Sequence, residues 1–124
     1  MFGVFALMLL SQQPLQPVIE GEASYYTVAS SSIRTASGEF LNDEDMTCAM
    51  LNGEFGTNYL VVAENGHSVI VRLNDRGPFV PGRVIDLSRA AIRALHPSKG
   101  TLHVKVYALG RDLRGSPAMP GGFS

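Results

Sequence analysis

The sequence has little that would tie it to a polyanion, a metal ion or a membrane span. Its 124 residues carry 10 Lys and Arg against 11 Asp and Glu, a net charge of −1. No run of basic residues occurs, so there is no electrostatic case for nucleic acid. A single cysteine, Cys48, excludes an internal disulfide and leaves no Cys/His metal spacing. In its apolar setting it reads as a small core residue, and it lies too deep in the chain to carry a lipid. The longest apolar run, Met1 to Leu10, would rise only about 15 Å as a helix, half a bilayer core. It reads as the hydrophobic region of a secretory signal that lacks its basic start, so export to the cell envelope is expected. The alternative is an N-terminal helix packed on the domain. No internal repeat longer than a dipeptide is visible.

What is present points to one small β-rich domain. The length supports a single core of about 90 residues with a limited stability margin. The 13 glycines and 7 prolines fit short strands joined by tight turns. Ser11 to Glu20, with two prolines and three glutamines, reads as a linker that follows the apolar start, so residues 1–20 stand apart from the domain. Gly21 to Thr27 is a first strand, and Val28 to Ser37 an irregular connection. Asn42 to Asp45 followed by Met46 to Met50 suggests a helical turn with acids at its N-terminus. Tyr59 to Ala63 and Ser68 to Leu73 flank Glu64-Asn65-Gly66-His67, a hairpin signal in which Asn-Gly takes positive φ.

Ser88 opens a short helix through Leu95, with Leu87, Ala91, Ile92 and Leu95 on one face and Arg89 and Arg93 on the other. Thr101 to Leu109 alternates: Leu102, Val104, Val106 and Ala108 point one way, His103, Lys105 and Tyr107 the other. Residues 110–124, rich in glycine and proline, read as a disordered tail. Several short strands, one or two short helices and no alternating βα pattern predict a mainly β fold closed into a small barrel.

Chemistry is concentrated in two segments. Asn74-Asp75-Arg76-Gly77-Pro78-Phe79, followed by Arg83-Val84-Ile85-Asp86-Leu87-Ser88, packs carboxylates, guanidinium groups and a Gly-Pro turn into about fifteen residues. Ser37-Gly38-Glu39 places a second carboxylate in a separate turn. Two carboxylates on separate turns of one barrel can converge across a groove, as cleavage of a glycosidic bond requires. Each also has a plain structural reading. Glu39 as an exposed turn residue, Asp75 as a turn-fixing acceptor, and Asp86 as a buried partner of Arg76 or Arg83 all remain open.

Four ordered segments carry a family resemblance: Gly21 to Tyr26, Arg34 to Glu39, Asn74 to Phe79 and Arg83 to Ala91. Together they resemble rare lipoprotein A, the septal-ring lytic transglycosylases, over residues 21–109. The resemblance implies a six-stranded double-psi β-barrel and cleavage of the bond between N-acetylmuramic acid and N-acetylglucosamine in peptidoglycan glycan strands, preferably stripped of peptides, leaving 1,6-anhydro ends. It implies no cofactor, no metal and a monomer, with division-site proteins as partners. Glu39 and Asp75 occupy the family's catalytic positions. Asn74, Arg83 and Asp86 are expected to support them, and Arg34, Arg76, Phe79, Tyr25 and Tyr26 to contact substrate. An arginine fork matches the lactyl carboxylate that peptide removal exposes.

One departure stands out. The family usually carries a histidine after a Thr-Ala-Ala stretch, and here the stretch is Thr47-Cys48-Ala49-Met50. A thioether transfers no proton, so a non-catalytic glycan-binding or septal scaffold domain is the alternative. An expansin-like wall-loosening module, which shares the barrel and an Asp-Leu-Ser segment, is a third reading.

Overall fold

The computed structural model describes residues 16–26, 34–95 and 101–111. Six strands close into a barrel: β1 Ile19–Tyr25, β2 Thr47–Ala49, β3 Asn58–Ala63, β4 Ser68–Asp75, β5 Arg83–Leu87 and β6 Leu102–Gly110. Around the barrel they run β1-β5-β2-β4-β3-β6. The β1–β5 and β2–β4 pairs are parallel and the others antiparallel. Closure leaves no unpaired sheet edge, which a domain this small could not otherwise cover.

Alternation along the strands fills the interior. Tyr59, Val61 and Ala63 of β3, Val69, Val71 and Leu73 of β4, Ile85 and Leu87 of β5, and Val104 and Val106 of β6 form one buried cluster with Cys48. The single helix among the described residues, α1 Arg89–Leu95, adds Ala91, Ile92 and Leu95 to it, as the helical period predicts. Ser88 caps this helix: its Oγ accepts the Ala91 N–H at 3.2 Å and donates to the Asp45 carbonyl at 2.6 Å. Cys48 is buried, and burial pushes its thiol pKa up, in keeping with a core role.

Several expectations are corrected. The stretch Thr47 to Ala49 is a buried strand and not part of a helical turn, because backbone pairing to β4 on one side and β5 on the other overrides the local pattern. The acids before it occupy a turn in which Asn42 Oδ1 accepts the Glu44 N–H at 2.9 Å. The first strand begins at Ile19, inside the expected linker, because Val18 and Ile19 already pair with β6. Gly110 ends β6 and does not open the tail. Ala108, expected on the face of Val104 and Val106, is exposed, because β6 has there run past its last β1 partner and pairs with β3 alone.

The β3–β4 hairpin is present, but Glu64 and Asn65 are its central residues: Gly66 N–H closes onto the Ala63 carbonyl. Gly66, at φ 92°, takes the left-handed position after the turn. The apolar start, residues 27–33, the helix-stopping Pro97 and the tail from residue 112 lie outside the described residues.

Candidate active site

Register brings the two acidic segments together. Ala49 of β2 pairs with Asp75 of β4 on one side and with Asp86 of β5 on the other. Asp86 in turn pairs with Ser24 of β1. Directly paired residues point to the same face of a sheet, so Ser24, Asp86, Ala49 and Asp75 form one row across four strands. Ala49 also joins Tyr26 and Leu41 in a small apolar cluster separate from the main core. The Tyr26 hydroxyl is bonded to Thr47 Oγ1 at 2.8 Å, and burial raises its pKa.

The two aspartates are held differently. Asp75 Oδ1 accepts the backbone N–H groups of Ala36 and Arg76, each at 2.9 Å. Asp86 is half-buried, and Ser24 Oγ donates to its Oδ1. Burial raises the Asp86 pKa above the usual carboxylate range, and the negative charge of Asp75 adds to the rise. The Ser24 hydrogen bond and the Arg83 charge oppose it. The other oxygen, Oδ2, faces the gap left by Gly77: a Cβ there would lie 3.8 Å from Asp86 Oδ2 and 3.5 Å from the Phe79 ring. Gly77 sits at φ 131°, which L side chains rarely adopt. Phe79 stands beside this gap with 79% of its surface exposed.

Glu39 comes from a tight turn whose ends, Arg34 and Phe40, form a bridge. The turn is pinned to β4 by Ser37 N–H to the Asn74 carbonyl at 3.1 Å and by the Ala36 bond to Asp75. Glu39 itself is clasped by the two terminal guanidinium nitrogens of Arg72, Nη1 on Oε2 and Nη2 on Oε1 at 3.0 Å, and by Asn74 Nδ2 at 3.2 Å. The Arg72 bonds hold its carboxyl below the usual range. Glu39 is thus an anion and not a proton donor.

The remaining expected residues divide. Arg76 is committed to the β2–β3 loop, donating to the Met50 and Gly53 carbonyls at 3.3 and 2.7 Å, with its guanidinium carbon 4.2 Å from the centre of the Phe55 ring. It is therefore not the partner of Asp86. Arg34 donates to the Gly38 carbonyl and lies 4.1 Å from the Phe40 ring centre. Tyr25 is exposed; Tyr26, expected to contact substrate, is buried at 8%, packed with Leu41 and Ala49 and bonded to Thr47.

Arg83 is in no ion pair among the described residues, and it borders an apolar cavity of about 300 Å³ lined by Val18, Ile19, Met50, Leu51 and Val84. Met50 sits in the core cluster at 6% exposure, and its N–H bonds the Asp75 carbonyl at 3.2 Å. The sequence assigns Ser24 no site role, and it offers Arg72 only as one of four arginines, with Arg34, Arg76 and Arg83, that could read the lactyl carboxylate. The strand register marks Ser24, and the clasp on Glu39 marks Arg72.

A family model described as lytic transglycolase, built on the double-psi barrel, matches residues 18–106. The chain belongs to this family. It is 46% identical over 96 residues to the probable endolytic peptidoglycan transglycosylase RlpA of Nostoc sp., a match covering 74% of this chain and 26% of that relative. To the endolytic peptidoglycan transglycosylase RlpA of Pasteurella multocida it is 42% identical over 98 residues, covering 77% of this chain and 33% of the relative. The chain therefore spans about a quarter to a third of these relatives.

Among solved structures, apo expansin of Clavibacter michiganensis superposes with a TM-score of 0.61 at 24% identity, covering 77% of this chain and 52% of that one. The Streptomyces papain inhibitor gives 0.57 at 21% identity, with 76% and 99% covered. At these identities the likeness concerns the fold alone. It establishes the family's double-psi barrel as the architecture of this chain and lends no support to the expansin-like reading of its activity.

Proposed function

We propose that this barrel is a peptidoglycan lytic transglycosylase, with Asp86 as its proton carrier. The observation that carries the reading is the row in which Asp75 and Asp86 flank Ala49, with burial, and then the Asp75 charge, raising the Asp86 pKa. This revises the roles expected from sequence. Asp86 becomes the acid, Asp75 the charged partner, and Glu39 a fixed anion in the adjoining turn.

In the first half of the reaction Asp86 Oδ2 gives its proton to the glycosidic oxygen as the bond from muramic acid C1 breaks. The Asp75 carboxylate, anchored through its Oδ1, faces the positive charge that develops on the ring. In the second half the muramyl C6 hydroxyl attacks C1 and its proton returns to Asp86. The net change is a 1,6-anhydro ring on one fragment and a free hydroxyl on the other, without water. Phe79 offers an exposed apolar face beside the Asp86 gap on which a sugar ring can stack.

The preference for peptide-stripped strands belongs to the same proposal. Of the four arginines offered by the motif segments, Arg34, Arg72 and Arg76 are engaged within the protein, which leaves Arg83 to meet a lactyl carboxylate. Export, suggested by the apolar Met1 to Leu10 segment, would bring the domain to its substrate. The alternative, a glycan binder, rests on the sequence departure at Met50, where the family carries a histidine, although the side chain at this position packs in the core.

Incubation with purified sacculi, intact and amidase-treated, followed by mass spectrometry of the soluble fragments, separates the two. Anhydro-muramyl ends released by the parent and not by Asp86→Asn support the lyase. Retention on the sacculi without release of any fragment supports the binder.

A further inference from the structure

Asn74 is buried on the outer face of β4, against the turn that carries Glu39. It lies two positions after Arg72 on β4, so both side chains project to the same face, and both bond Glu39. It is 2% exposed, and its Oδ1 is the one buried side-chain oxygen or nitrogen without a partner among the described residues. A buried acceptor left unpaired weakens a fold. Turning the amide over would set Oδ1 against the Glu39 carboxylate, so the orientation of the amide is dictated by Glu39 and the unpaired oxygen follows from it.

We infer that Asn74 is a positioning residue whose amide, with Arg72, fixes Glu39 as an oriented anion beside the Asp75–Asp86 pair. The inference rests on the reading of the site given above. Geometry supports the coupling: the Ser37 N–H bonds the Asn74 carbonyl, the next turn residue back, Ala36, bonds Asp75 Oδ1, and Asp75 follows Asn74 in the chain. The charged groups around Glu39 are few. Arg72 faces it from β4, Asp45 acts on Arg72 from the turn before β2, Asp75 ends β4, and Arg34 caps the turn that carries Glu39. Asn74 is the neutral donor among them. It adds a bond to the ionised carboxylate while leaving the net charge of the site unchanged, which a second arginine would not.

The test follows the Glu39 side-chain carboxyl by carbon NMR through an acid titration, alongside the pH profile of anhydro-product release, in the parent, Asn74→Ala and the uncharged, similarly sized Asn74→Leu. In both variants Glu39 is expected to titrate at higher pH, and the acid limb of activity to move up with it. Turnover on the acid side of the optimum should fall about tenfold, the size of one lost hydrogen bond to a charged group. A residue that only packed would leave both readouts in place, so a Glu39 titration unmoved in the two variants overturns the inference. Should Asn74→Ala fail to fold, Asn74→Leu decides alone. If the parent releases no anhydro ends, the lyase reading fails, and the Glu39 titration still decides the role of Asn74.

Discussion

Asp75 and Asp86 are register partners of the same residue, Ala49, from opposite sides of β2. Burial raises the Asp86 pKa and the negative charge of Asp75 adds to the rise, which suits Asp86 to give a proton to the substrate. Asp86→Asn should therefore abolish release of anhydro ends, at the roughly 10²–10⁴-fold cost of a lost general acid. Asp75→Asn removes the neighbouring negative charge that raises the Asp86 pKa. In that variant Asp86 gives up its proton at lower pH, so the basic limb of the activity profile should move down. A pH series on amidase-treated strands checks both. A basic limb unmoved in Asp75→Asn would mean that the two groups are not coupled.

Phe79 tests substrate contact without touching the fold. With 79% of its surface exposed, its truncation to alanine should leave the thermal midpoint within the small range of surface substitutions, about 0.5 kcal/mol. Loss of a stacking face beside Asp86 should raise KM with a smaller effect on kcat. An unchanged KM would remove Phe79 from the substrate contacts.

Much of the barrel can be read from local pattern. Strands β3, β4 and β6 alternate at period two, the Asn-Gly hairpin stands out, and α1 shows its apolar face and its serine cap. The segments that lie outside this reading are those formed by long-range pairing. Thr47-Cys48-Ala49 is too short to show a period, and the acids before it imitate a helix start; only the β4 and β5 partners make it a strand.

The site divides in the same way. Glu39, Asp75 and Asp86 were visible as carboxylates in turn-rich segments. Their roles were not, because roles depend on what each one touches. Arg72 turns Glu39 into an ion-paired anion, and the Ser24–Asp86–Ala49–Asp75 row exists only once four strands far apart in sequence are in register.

The methionine at position 50 has a structural reading that the sequence did not offer. Its side chain belongs to the main core and borders the aliphatic cavity, on the face opposite that of Ala49 and the carboxylates. Met50→His should place a polar ring in an apolar setting and lower the thermal midpoint, by about 1–3 kcal/mol in stability. No gain in turnover is expected, because the ring would point away from Asp75 and Asp86. A rise in anhydro release would show that the imidazole reaches the reacting groups by another route.

Glu39 also sets how the fold meets acid. Its folded pKa lies below the ordinary value of 4.5, through the Arg72 bonds, so its contribution is present above that value and is lost as pH falls through the folded value. Both side chains are more than a third exposed, so the contribution is small and screened by salt. Glu39→Gln should lower stability near neutrality and flatten its fall in acid. Urea midpoints across that range, at low and high salt, check it, and parallel curves for parent and variant would remove Glu39 from the acid response.

Arg83 offers the counterpart to Asp75. Its positive charge lowers the Asp86 pKa, so Arg83→Gln should let Asp86 hold its proton to higher pH and move the basic limb up, opposite to Asp75→Asn. The same substitution removes the guanidinium proposed to read the lactyl carboxylate. KM on peptide-stripped strands should then rise while KM on peptide-bearing strands changes little, because only the stripped strand presents that charge. Arg83→Lys keeps the charge and loses the planar fork, so it should restore the pH limb and recover only part of the discrimination. A profile that moves down in Arg83→Gln would mean that its charge does not act on Asp86. An equal rise in KM on both kinds of strand would mean that Arg83 binds glycan without reading the carboxylate.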